Sequence, residues 1–573
     1  MKTPYKVYDI HTAFELFKTG EPLFSDCETM GLYGQVRLLQ AYQPHLDHVV
    51  MVDTPDPMLL AMYLGKHNTV WHNSHYDLTT IQQQTSTRWI PDSFDDTFLL
   101  ARLHFADKEK FSLDQTFEYV LGYCPYTKQN LDKKSLQKSD WSKLTLTEDQ
   151  RLYAATDVFY MPQLWDQVKA RIDDTSYKLD MLTLRYCLDF QWNGMPLNKD
   201  KLYFRHQDNE QIIKQINLPI NANSYVQVRE WLGGITESDA LALLKLSIDG
   251  NTKAHQIVEV RRLRKQNSFL DKFDTTDGRI YGKFLPSARS GRLTSKDQNL
   301  QQLPRKLKDM FEAPDGRVLI YADYAQVELR TICAITACKA MEELFRSGAD
   351  LHGFTAQMIF GDDWNKSQRN LSKTYNFSFL YGGGISMLIN ILVLQAEILL
   401  TEEQAVRDRR RWRNLWKEIY AWQEVGINKW RQGRLGSTAL GRKYKAKMMT
   451  DQLNIENQGT AAEVFKLALH YFYPAMKAYN KEHDVDFMLC NAIHDSFIVE
   501  GPDEPVHYKA IAKLKADSMQ KAWFEMSKLL TIKDLPMPVQ VSVGKNWGEI
   551  EDDDYDDLWT YELEGMTHYG HDN

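Results

Sequence analysis

Arg369, Lys373, Phe377 and Tyr381 recur at every fourth residue and run directly into Gly382-Gly383-Gly384. A four-residue step overshoots one helical turn by about 40°. The spacing therefore predicts a helix carrying two cations, then two aromatics, in one slowly drifting stripe. The glycine run is where such a helix stops, because glycine takes the left-handed conformation that closes a C-terminus. Cations at one end suit a triphosphate, and aromatics at the other suit a stacked base. An ordinary amphipathic helix, with the aromatics in a core and the cations in water, would give the same pattern. The surrounding residues decide between the two.

Upstream, the strand Arg317–Ala322 leads into Asp323-Tyr324-Ala325-Gln326-Val327-Glu328-Leu329-Arg330. A carboxylate at the tip of a buried strand is costly unless a metal or a basic group neutralises it. Downstream, the apolar runs Phe487–Cys490 and Phe497–Val499 flank Ile493-His494-Asp495-Ser496, which reads as a hairpin presenting Asp495 at its turn. Another strand is expected over Val539–Val543. Between these elements lies a helix-rich block from about 324 to 432, and helices are also expected over about 175–280, with breaks at Trp192–Leu197 and Gly233–Gly234.

The first ~170 residues alternate short apolar strands (Pro22–Cys27, Gln35–Ala41, His48–Val52) with helical stretches, an α/β pattern. At the end of the first strand, Asp26 and Glu28 fall on one face by the period-2 rule. Two neighbouring carboxylates repel unless a cation lies between them, so the pair suits a hard metal ion, although a solvated strand end would look the same. Asn73 with Asp77, and Tyr153 with Asp157, are each one helical turn apart.

Composition adds limits. The 573 residues are 43% hydrophobic, enough for several folded units and too apolar for a disordered chain. Six scattered cysteines and the absence of an apolar leader point to a reducing, cytoplasmic setting, in a bacterium or a host cell. The most apolar segment, Ile385 to Leu400, is interrupted by Asn390, Gln395 and Glu397 and is short of a membrane span. The net charge of −8 seems to disfavour a polyanion. Of 77 acidic residues, however, ten lie from Glu549 onward with no Lys or Arg among them, and the rest of the chain holds 69 basic against 67 acidic residues. That tail reads as a solvating end. Basic residues cluster at Arg261–Lys265 and Arg407–Arg413.

The order D-x-E, N-x-x-x-D, Y-x-x-x-D, with Asp95-Asp96-Thr97 between, resembles DEDD-type 3′–5′ exonucleases of the tyrosine variant. The resemblance implies that Asp26, Glu28, Asp77 and Asp157 hold two Mg²⁺ or Mn²⁺ and that Tyr153 orients the attacking water. D-Y-A-Q-V-E-L-R, R-x-x-x-K-x-x-x-F-x-x-x-Y-G and H-D, in that order, resemble motifs A, B and C of family A DNA polymerases. Ser290-Gly291-Arg292-Leu293-Thr294-Ser295 with Asn299-Leu300-Gln301, Asp350-Leu351-His352 with Thr355-Ala356, Gly441-Arg442, Asn454 with Gln458-Gly459-Thr460, and Val543-Gly544-Lys545-Asn546-Trp547 extend the likeness over nearly the whole chain.

The fold implied is α/β plus α+β and multidomain. An RNase H-like exonuclease over 1–175 precedes a right-hand polymerase over 176–573. Its thumb is expected at about 176–290, its palm at about 291–345 and 446–573, and its fingers at about 346–445. Asp323 and Asp495 would bind two metal ions. Arg369, Lys373 and His352 would grip a dNTP triphosphate, Phe377 and Tyr381 would flank its base and sugar, and Glu328 with Gln326 would exclude a ribose 2′-OH. Arg292, Asn299, Gln301, Asn454, Gln458 and His494 would contact primer-template DNA. The implied activity is DNA-directed DNA synthesis with proofreading, by a monomer, in DNA replication. The compact size and the lack of an N-terminal 5′-nuclease point to a phage or other virus; any accessory partner stays open.

The sequence departs from the family at Ala325, Gln298, Gln302 and Thr450, and at Ser496, where H-D-E is usual. Ser496 leaves a second reading open, an enzyme retaining only exonuclease activity. A protein that merely coats primer-template junctions is a third.

Overall fold

The computed structural model describes residues 2–85, 87–273, 276–551 and 559–563, with 395–396 and 559–563 described through their backbone alone. It divides into two compact units. The first comprises Met1–Asn193, Phe284–Thr294 and Leu440–Lys445, and the second Gly194–Lys283, Ser295–Ala439 and Ala446–Asn573.

The first unit is built on a six-stranded sheet of β1 (Tyr5–Tyr8), β2 (Leu23–Thr29), β3 (Val36–Tyr42), β4 (Val49–Asp53), β5 (Thr69–Trp71) and β6 (Phe94–Asp96), in the order β1-β4-β3-β2-β5-β6. β3 runs antiparallel to β2 and β4, while the β1–β4, β2–β5 and β5–β6 pairs are parallel. Every residue of β3 is buried, as a strand covered on both faces requires. The helix Glu148–Phe159 starts at a capping box, in which Thr147 and Gln150 satisfy each other's backbone N–H. The helix Thr175–Asn193, which follows the expected boundary near 175, buries Tyr177, Leu184 and Leu188 in the same core. That burial carries the first unit on to residue 193.

The second unit centres on an antiparallel five-stranded sheet: β7 (Arg317–Tyr324), β8 (Met488–Ile493), β9 (Ser496–Pro502), β10 (Val539–Gly544) and β11 (Trp559–Leu563), in the order β8-β9-β7-β10-β11. The long helices Met449–His483 and Pro505–Ser527 pack on each other, and the second also packs on β7 and β10. The helices Lys199–Ile216 and Thr252–Leu270 pair beside a small core of Ala222, Val228, Leu243, Ile257 and Val260.

Two expectations change here. The acidic end is not wholly solvating. Glu549 lies in the helix Trp547–Ile550, Glu551 accepts hydrogen bonds from Lys308 and from Trp547 Nε1, and β11 pairs with β10. β10 would otherwise present an open sheet edge, and the alternation of Trp559, Tyr561 and Leu563 suits a strand. Residues 552–558 and 564–573 of that end lie outside the described residues. Asn73 is not one turn inside a helix with Asp77: it takes the left-handed conformation at φ 70° and caps the helix Ser74–Gln84. The departure at Gln298, where the resemblance would put a proline, also has a backbone reason. Its φ is 41°, which a proline, fixed near −65°, could not adopt.

Candidate active sites

In the first unit, Asp26 and Glu28 leave β2 on one face and meet Asp157 from the helix Glu148–Phe159, with ligand oxygens of the three within 4.8 Å of one another. Asp77 is buried on the helix Ser74–Gln84; one of its oxygens takes the Cys27 N–H at 3.0 Å, and its charge acts on Asp26. Burial first, then the charges of Asp77, Asp157 and Glu28, push the Asp26 carboxyl well above the carboxylate range. Glu28 is raised in the same way by burial, Asp157 and Asp77. Burial lifts Asp157 to about 7, and Lys133, itself paired with Asp114, opposes the rise. Clustered hard oxygens whose charge the surrounding side chains do not balance fit a divalent cation.

Sequence reasoning missed the residues that aim this cluster. Gln40 Nε2, opposite Asp26 in the β2–β3 register, donates to Asp26 Oδ2 at 2.5 Å. The buried Tyr126 hydroxyl donates to Asp157, and Tyr153, one turn before Asp157, hydrogen-bonds to it as well. The rings of Tyr126 and Tyr153 lie 5.7 Å apart. Asp96 serves the frame. It caps the helix Thr97–His104 through Phe98 and Leu99 and accepts from the N–H groups of Asn73 and Ser74.

In the second unit, Asp323 and Asp495 line one open cleft of about 590 Å³ with Gln326, Glu328, His352, Arg369, Lys373 and Phe377. The strands that carry the carboxylates are neighbours. Ser496 turns inward, and its hydroxyl donates to the Ala322 carbonyl just before Asp323. Beneath them the buried Lys515 ammonium donates to the Ile320 and Phe497 carbonyls, one on each strand; burial drives its pKa well down. Arg330 Nε bonds the Ala325 carbonyl at 2.7 Å, which fixes the chain leaving Asp323.

The opposite wall is the helix Lys366–Leu380, capped by Asn365 and Gln368. Leu371, Tyr375 and Phe379 are buried, and Arg369, Lys373 and Phe377 take the cleft side. Tyr381 follows as the C-cap, and Gly382 has φ 72°. Arg369 grips Asp350 with two hydrogen bonds of 2.5 and 3.0 Å, and Asp350 caps the helix that bears His352. A Cβ at Gly353 would lie 2.6 Å from Asp350 Oδ2, so a larger residue there would push on the carboxylate that Arg369 holds.

His352 is not a third cation. Burial, then Lys373 and Arg369, lower its pKa to about 4. Trp412 Nε1 donates to Asn376 Oδ1 at 2.8 Å, which turns Asn376 Nδ2 toward His352 Nδ1 at 3.0 Å. Nδ1 must accept, so the proton is on Nε2. Another missed residue is the buried Asn457, whose Nδ2 donates to the Glu328 carbonyl at 3.0 Å and the Tyr381 hydroxyl at 3.3 Å. Asn376, Trp412 and Asn457 carry no local signal, because each acts across the fold.

Tyr381 and Asn454 line a second, larger cleft of about 1230 Å³, which shares Lys373 and Phe377 with the first. Asn299 caps the turn Leu300–Gln302, and Gln301 Nε2 donates to the distant Ala492 carbonyl at 3.3 Å, so both support backbone. His494 is exposed at the hairpin tip with φ 48°. Gln458 follows Asn454 by one turn of the same helix. Arg292 belongs to the first unit.

Residues 205–549 match the profile of DNA polymerase family A, and residues 9–173 match that of the 3′-5′ exonuclease. The chain belongs to DNA polymerase family A. It joins a polymerase of that family to a 3′–5′ exonuclease domain. A DNA polymerase I of Aquifex aeolicus is 24% identical over 92% of this chain and 95% of its own. A thermostable DNA polymerase I of Thermus thermophilus is 24% identical over 86% of this chain, which spans 55% of that relative. The solved POL domain of Pol1 from M. smegmatis, complexed with DNA primer-template and dNTP, shares the fold with a TM-score of 0.75 and 19% identity, covering 96% of this chain and 100% of its own. Among the described residues no helix is long and apolar enough to cross a membrane.

Two outcomes test the geometry. In EDTA at pH 8, Asp26→Asn is expected to raise the melting temperature by about 2–4 °C by relieving repulsion, and to lose the further rise that Mn²⁺ gives the parent chain, as read by differential scanning fluorimetry. His352 has a folded pKa below its unfolded value of 6.5, so it is no burden above pH 6.5 and costs stability as pH falls toward about 4. The drop in melting temperature from pH 7 to pH 5 should therefore be smaller in His352→Gln; an equal drop refutes the buried neutral imidazole.

Proposed function

We propose that the chain extends a DNA primer along its template at the Asp323–Asp495 cleft and removes 3′-terminal nucleotides at the Asp26–Glu28–Asp157 cluster, in DNA replication. The observation that carries this reading is a single cleft with two carboxylates on one wall and Arg369, Lys373 and Phe377 on the other. The primer-template and dNTP held by the structurally similar polymerase support it. In this reading the sheet of β7–β11 is the palm, the helix Lys366–Leu380 belongs to the fingers, and the paired helices of 199–270 are the thumb.

Asp323 and Asp495 would hold two Mg²⁺ or Mn²⁺ ions, and Asp26, Glu28, Asp77 and Asp157 two more. Bound there, the ions neutralise phosphate charge and help form the attacking oxygen. The chain's own residues do the rest. Arg369 and Lys373 bind the triphosphate, and the neutral His352 offers one directed N–H without adding charge. Phe377 and Tyr381 flank base and sugar. Asn457 holds Tyr381 against the Glu328 backbone, and Glu328 with Gln326 walls off a 2′-OH. Tyr153 orients water at the exonuclease cluster. Arg292, Gln458 and His494 would probe the minor groove, where base pairs present acceptors at similar positions. Asn299, Gln301 and Asn454 would place the strands. Ser496 speaks against a decayed polymerase site, because it braces the strand of Asp323.

With Mg²⁺, a primed template and dNTPs, the parent chain should lengthen the primer on a sequencing gel. Asp323→Ala should only shorten it, and Asp26→Ala should lengthen it without degradation. A parent chain that only shortens primers would leave the exonuclease-only reading. Glu328→Ala should raise ribonucleotide incorporation at least about tenfold, and unchanged sugar selectivity would remove Glu328 from that wall.

A further inference from the structure

A recess of about 200 Å³ lies within the first unit, lined by Arg102, Lys108, Arg289, Arg442, Lys443 and Lys445, with Glu109 the single carboxylate in its lining. Six cations line this small space, of which Lys108 is paired with Asp107 at 3.2 Å. The segments that supply them are tied together. Arg289 Nη1 donates to the Lys445 carbonyl at 3.2 Å, and Arg442 is paired with the buried Asp180 at 2.6 Å.

Arg102 decides what the recess is for. Its guanidinium is half-buried, held against the rings of Phe98 and Phe111 at 5.4 and 5.5 Å, and among the described residues it makes no hydrogen bond or ion pair. The ring contacts fix the planar fork while leaving its N–H donors for a ligand. Burial first, then Arg442 and Arg289, lower its pKa to about 10 against the opposing charge of Asp180.

We infer that this recess binds a phosphate of single-stranded DNA, with Arg102 as the fork that takes its oxygens and Lys443 and Lys445 as rim charges. A volume of 200 Å³ admits one phosphate with part of its sugar. A flexible single strand can present a phosphate into the recess, whereas the rigid backbone of a duplex reaches only the exposed rim. Arg102 sits on the helix Thr97–His104, and that helix's cap, Asp96, also anchors the helix bearing Asp77. A strand held here is thus held by the frame of the exonuclease cluster. The inference rests on the proposed DNA-processing function.

The test is binding of a fluorescein-labelled oligo(dT) to the full chain in Ca²⁺, by anisotropy across a KCl series, with degradation of the same oligomer measured in Mg²⁺. Arg102→Gln should weaken binding about five- to tenfold and raise KM for degradation with kcat unchanged. Lys443→Gln/Lys445→Gln, a pair of exposed changes that cannot unfold the core, should weaken binding about threefold and lower the salt slope by about 0.7 per lost phosphate contact. Unchanged hydrolysis of the p-nitrophenyl ester of dTMP, too small to span both places, will show that Arg102→Gln is folded. Unaltered binding and slope in both variants would overturn the recess while leaving the proposed function standing. A parent chain that binds no oligomer would instead overturn that function. If Arg102→Gln loses affinity for free dTMP but keeps that for oligo(dT), the site takes a free nucleotide and the inference fails.

Discussion

Ionised carboxylates crowded together inside a fold repel one another, and the first unit's site is arranged around that repulsion. β2 puts Asp26 and Glu28 on one face, and the helix Glu148–Phe159 brings Asp157 to them. Among the described residues no arginine or lysine forms an ion pair with the three; Lys133, the cation felt by Asp157, is already engaged by Asp114. The neighbours restrain geometry and leave the charge unbalanced. Gln40 and Tyr126 each donate one hydrogen bond, enough to aim a carboxylate but too little to neutralise it. A fold that holds negative charge in this way is built to receive cations.

The second unit sets its carboxylates and its cations on two walls of one cleft. Ser496 and Lys515 fasten the strands behind Asp323 and Asp495 through backbone carbonyls, leaving the carboxylates to the cleft. Across the cleft, Arg369 is balanced by Asp350, while Lys373 is exposed. In the proposed reading, a phosphate arriving there would meet a guanidinium already oriented by its partner. The neutral His352, oriented through Asn376 by Trp412, would add direction in that reading without strengthening the hold on a departing anion.

Much of this was legible in the residues, and the limits are physical. Period-2 spacing put Asp26 and Glu28 on one face, and the four-residue repeat put Arg369, Lys373 and Phe377 on one side of a helix, as found. Local patterns name residues one turn or one strand apart, and they failed where tertiary contact decides. Asn376 acts on a histidine 24 residues away, and Asn457 on Tyr381 76 residues away. Ser496 reads as a missing acid in sequence, and only packing shows its hydroxyl turned under the sheet. Asn73 looked like a helix residue because spacing is blind to a left-handed cap.

The buried pair of Arg442 and Asp180 joins residues 262 positions apart within one unit. Breaking such a pair by deleting one partner leaves a bare charge in the interior, a loss of about 3–5 kcal/mol. The exonuclease unit is therefore no cassette that a gene could donate by copying its first third. A chain ending at residue 193 would carry Asp180 without Arg442, so the unit that holds the exonuclease cluster is completed only by residues from far along the sequence.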